Sequence, residues 1–77
     1  MTVETADALQ VGDVVELAEP VAHVRGVPVR ARGRVLVEGL PWGCVTVAFG
    51  PIATDPDAVP GRTWMIRGGH LRRVVAP

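Results

Sequence analysis

Lysine and tyrosine are missing from this 77-residue chain, cysteine occurs once, and aromatic residues make up only 4%. A single thiol, Cys44, excludes an internal disulfide and fits a reducing compartment. No other Cys or His stands close to it, so the paired ligand spacing of a structural zinc site is lacking. No apolar run approaches the ~20 residues that a membrane-spanning helix needs. The opening stretch Met1–Asp7 is acidic and has no apolar segment of the secretory kind. These absences predict a soluble, cytoplasmic protein with no membrane partner. Net charge is lacking too, with eight basic against eight acidic side chains. That counts against a chain held to nucleic acid by bulk charge alone.

Catalytic signatures are equally scarce. There is no Ser-centred nucleophile elbow, no His-Glu-x-x-His, no phosphate-binding glycine loop and no paired-carboxylate motif. Cys44, His23 and His70 could in principle form a nucleophile–base pair or hold zinc. All three read as ordinary strand or loop residues. The expectation is a protein with no catalytic, metal or cofactor residues.

What the chain does have is valine, fifteen times. Its β-branched side chain is stiff and packs well on a pleated surface, so the composition favours strands. All the basic residues are arginine, and this usage, rich in Ala, Arg, Gly, Pro and Val, suggests a GC-rich coding genome. At this length a chain forms one domain that buries only about 60% of its unfolded surface. Close packing or self-association must then supply the stability, so a homo-oligomer is one expectation.

Five short apolar stretches are divided by Gly and Pro. Val11–Leu17 is the first strand candidate. The second, Val27–Val37, alternates with period two, with Val27, Val29, Ala31, Gly33, Val35 and Val37 on one face and Pro28, Arg30, Arg32, Arg34 and Leu36 on the other. Gly33 predicts a bend or bulge there. Cys44–Phe49 and Arg62–Ile66 are the third and fourth candidates, and Arg72–Val75 is the last. A turn of 3₁₀ type is expected at Arg67–Leu71 and a long Pro-rich loop at Gly50–Gly61. Val3–Leu9 is the one helix-like window and is too short to stand alone. Parity assigns Val15, Leu17, Val35, Val37, Val45, Val47, Phe49, Trp64 and Ile66 to the core. The domain is expected over 10–77, with an irregular N-terminal segment at 1–9.

Five strands, a long first connection and a turn before the last strand resemble the SH3-like barrel. The residues that carry the likeness are Gly12–Leu17, Arg32–Val37, Val45–Phe49, Thr63–Ile66 and His70–Val74. Small bacterial SH3-like proteins have a similar rhythm, and the resemblance implies an all-β, five-stranded barrel working as an accessory or binding subunit. The tyrosine cluster of peptide-binding SH3 domains is missing. So is the Val-Gln-Ile-Tyr motif of the type II dihydrofolate reductases, which use this barrel.

The charge is unevenly spread along the chain, which is where a candidate site emerges. Acids dominate 1–19, while 23–34 and 61–77 carry arginines and no acids. Arg30, Arg32 and Arg34, aligned on one strand face, would repel one another unless Glu16 and Glu19 pair with them or an anion does. Trp42, between Pro41 and Gly43, either covers the barrel's end or is a surface anchor of the kind enriched in interfaces. Trp64 reads as core. Arg30, Arg32, Arg34, Trp42 and Arg72 are therefore the candidate partner-binding residues. The leading expectation is a non-enzymatic module that docks on a protein. The alternatives are nucleic-acid binding through the arginine face and an enzyme subunit with its site at an oligomer interface.

Overall fold

The computed structural model describes residues 9–74. The expected N-terminal segment 1–9 and helix-like window Val3–Leu9, apart from Leu9, lie outside them, as does Val75. The chain is all-β, with β1 (Val14–Leu17), β2 (Arg32–Leu40), β3 (Cys44–Phe49), β4 (Thr63–Arg67) and β5 (Leu71–Arg73). They form one antiparallel sheet in the order β4-β3-β2-β1-β5, which leaves β4 and β5 as its edges. A 3₁₀ turn at Gly68–His70 swings the chain from one edge to the other, as the Gly-Gly pair predicts. At the β4 edge, His23 of the β1–β2 connection meets the Met65 carbonyl through Nε2 at 2.8 Å. That connection is thereby folded across the end of the sheet.

The core lies on one face. Val15, Leu17, Val35, Val47 and Ile66 are wholly buried, and Val45, Trp64 and Leu71 nearly so. Each fully buried Val or Leu contributes about 1.5–3 kcal/mol through lost apolar exposure. Leu9 and Val24 join the same cluster from outside the strands, with Val21, Val27 and Phe49 half-buried against it. Parity could not place Leu9, Val21 and Val24, which lie outside the strands, and Phe49, which it assigned to the core, is only half-buried.

Three strand-level expectations need correcting. Val37 is 44% exposed rather than core. Val35 pairs with Val47 but Val37 pairs with Thr46, so an extra residue in β2 turns Val37 to the outer face. The bulge is thus not at Gly33, which stays in register with Val15 and Phe49. Gly33 is required for another reason: a Cβ there would lie 2.4 Å from the Ala48 carbonyl oxygen. Finally, β2 begins at Arg32, not Val27, and β1 at Val14, not Val11. Arg30 has φ 78°, outside the range of any strand residue.

The Gly50–Gly61 loop is folded where it begins. Pro51–Ala53 make a 3₁₀ turn that buries Ile52 and Ala53, next to the buried Ala48 on the sheet's outer face. Asp55 then accepts the Asp57 N–H, a local turn of the kind Asp favours.

Candidate functional site

Across β5, β1 and β2 the register sets Arg72 opposite Glu16 and Glu16 opposite Arg32. Neighbouring strands are ~4.8 Å apart, so one carboxylate stands between two arginines about 10 Å from each other. The β1–β2 connection closes the third side. The Arg30 N–H donates to the Leu17 carbonyl at 2.8 Å, and the Leu17 N–H donates to Ala31 at 2.9 Å. Those bonds hold Arg30 in the left-handed region, which costs a non-glycine residue about 1–2 kcal/mol. The result is a basin of about 530 Å³ lined by Glu16, Ala18, Val29, Arg30, Arg32 and Arg72.

Its charge is unbalanced, with three guanidiniums to one carboxylate. Arg32 Nε stands 3.7 Å from Glu16 Oε1, an ion pair too long for a hydrogen bond. The guanidiniums of Arg30 and Arg72 make no hydrogen bond or ion pair with any described residue. The expected partner Glu19 faces elsewhere, with Oε2 accepting from His70 Nδ1 at 2.6 Å.

Of the five candidates, the fold brings Arg30, Arg32 and Arg72 together and separates two. Arg34 is half-buried, and each of its three guanidinium nitrogens donates to a backbone carbonyl. Its Nε donates to Ile52 at 2.8 Å, Nη1 to Gly12 at 2.7 Å and Nη2 to Ala53 at 3.2 Å. It fastens the 3₁₀ turn and the β1 approach to β2, so the expected row of three equivalent arginines does not form. Trp42 sits on the β2–β3 hairpin, 83% exposed. The run from Arg32 to Leu40 puts it at the far end of β2, up to about 26 Å away at ~3.3 Å per residue. Trp42 and Gly43 both take positive φ, 58° and 69°, and Cys44 N–H bonds back to Pro41. Such a tight hairpin turn ordinarily favours Asn or Gly in place of a large ring.

Residues outside the five binding candidates line a second cleft of about 400 Å³. Arg25, Val27, Pro28, Phe49, Arg62 and Trp64 are among its walls. The Arg62 guanidinium lies 4.3 Å from the Trp64 ring centroid. His23 meets the same ring edge-on at 6.5 Å. The shared parity of Arg62 and Trp64 was the one local signal of this contact.

Cys44, His23 and His70 are held in separate surroundings: Cys44 pairs with Leu40 and Arg67, His23 with Met65, and His70 with Glu19. Among the described residues no group of three metal-ligating side chains occurs, and no helix is long and apolar enough to cross a membrane. Comparison with protein-family models, curated proteins and solved structures finds no match.

Proposed function

We propose that this chain is a non-catalytic binding module of SH3-like type that docks on an acidic segment of a protein partner through the Arg30–Arg32–Arg72 basin. The observation that carries the reading is the surplus of guanidinium there, with Arg30 and Arg72 unpaired among the described residues. Like charges held in one concavity repel, and a carboxylate ligand relieves that repulsion while accepting two parallel bonds from each guanidinium it meets. Arg30 adds to the case. A backbone conformation that glycine would adopt at less cost is occupied by a charged side chain lining the basin.

The nucleic-acid reading has less support. It calls for an aromatic platform beside the phosphate contacts, yet Trp42 stands at the far end of β2 and Trp64 is 9% exposed within the core cluster.

A fluorescein-labelled hexaglutamate peptide, titrated at low salt and followed by anisotropy, tests the proposal. Saturable binding is expected, with a hexalysine peptide inert. Arg30→Gly and Arg72→Gln should each weaken it about tenfold, the loss of one charge-assisted contact. Arg30→Gly should also melt no lower than the parent, since glycine relieves the left-handed strain. Equal affinity of parent and both variants for the peptide, or no binding by the parent, would sink the reading.

A further inference from the structure

The second cleft differs from the basin in chemistry as well as place. Its floor and walls are apolar, formed by Val27, Pro28, Phe49 and Trp64, and its charged lining consists of Arg25 and Arg62 with no carboxylate. Among the described residues, the Arg25 guanidinium has no hydrogen bond or ion pair, and that of Arg62 is engaged only with the Trp64 ring face. A guanidinium seated over an indole face keeps the N–H groups at its own periphery free to bond an anion. About 400 Å³ lies within the range of small-molecule sites, which are mostly apolar with a few placed polar groups.

We propose that this cleft binds a small apolar monocarboxylate, its hydrocarbon body against Trp64, Phe49 and Val27 and its carboxylate between Arg25 and Arg62. Each half of the ligand answers a feature of the walls. The body removes apolar surface from water, and the head supplies the negative charge that no side chain of the lining provides. The site is independent of the basin, because the two clefts share no lining residue.

Trp64 supplies the readout. In a Trp42→Phe background it is the only tryptophan, so its emission reports this cleft alone. The full chain is titrated with octanoate and, as neutral and cationic counterparts, octanol and octylamine. Octanoate should shift the emission saturably, octanol should bind at least tenfold more weakly, and octylamine should not compete. Arg25→Gln and Arg62→Gln should each weaken octanoate about tenfold while leaving octanol and the far-ultraviolet circular dichroism melt unchanged. Octanol binding as tightly as octanoate would overturn the proposal. The same holds for octanoate affinity unmoved by both substitutions, or for no saturable change. Two-dimensional NMR gives a second check. Octanoate shifts should centre on the Trp64 indole and Phe49, and shifts centred instead on the exposed Val37 and Met65 would place binding elsewhere and sink the assignment.

Discussion

Arg34 illustrates how little a residue type says about its task. By alternation it is equivalent to Arg32, since both point from the outer face of β2. Yet Arg32 is exposed beside Glu16, while Arg34 spends three donors on the carbonyls of Gly12, Ile52 and Ala53. Ile52 and Ala53 are buried, so water cannot readily replace the lost donors. Arg34→Gln should therefore destabilise the protein by about 1.5–3 kcal/mol, the range for a hydrogen bond to a charged group. Arg32→Gln should cost about 0–1 kcal/mol, as for an exposed ion pair. Urea denaturation of the two variants checks the contrast. Equal midpoints would show that the carbonyl contacts contribute nothing.

At the level of elements, β2 carries the most information and the most correction. Its Val-Arg alternation identified a strand, and Val35 is buried as parity requires. The alternation also ran on through Val27–Ala31, where Pro28 and the left-handed Arg30 make a turn instead. Past Val35 the bulge reversed the faces, and a bulge leaves no mark in a Leu-Val-Glu sequence. Gly33 marks a close approach of two strands, where its residue type suggests a bend. Alanine inside a strand usually exceeds glycine in stability, but at this position its Cβ would strike the Ala48 carbonyl at 2.4 Å and the backbone of Phe49 at 3.0 Å. Gly33→Ala is expected to lose about 1–3 kcal/mol, the usual cost of overpacking, measured by the same denaturation series. A variant as stable as the parent would mean that β2 and β3 separate more easily than their register implies.

For the whole molecule, charge balance decides what the basin can hold on to. Eight arginines against eight acids leave no long-range field to draw in a polyanion. The local surplus at Arg30, Arg32 and Arg72 acts only at contact distance, within a Debye length of about 8 Å at physiological salt. Single-stranded and duplex DNA should therefore bind at 150 mM salt no tighter than about 100 µM, the weak end of non-specific association. Anisotropy with labelled oligonucleotides measures this. Micromolar binding that falls steeply with salt and is lost in Arg30→Gly would favour nucleic acid over an acidic protein segment.

The all-β class, five strands and the 3₁₀ turn before the last were legible in the chain because they depend on near neighbours. Valine's preference, period-two parity and a Gly-Gly break act over a few residues each. Three of the five candidate site residues converge: cross-strand register brings Arg32 and Arg72 to Glu16, while Arg30 joins them through the turn of the β1–β2 connection. What only the tertiary structure decided is which arginines remain available. Arg34 is consumed by backbone carbonyls of the Pro51–Ala53 turn and Gly12. Every residue offers a carbonyl, so nothing in the side-chain sequence marks those acceptors as partners. The clefts follow the same logic, for each is bounded by segments far apart in the chain that meet only once the β1–β2 connection folds over the sheet.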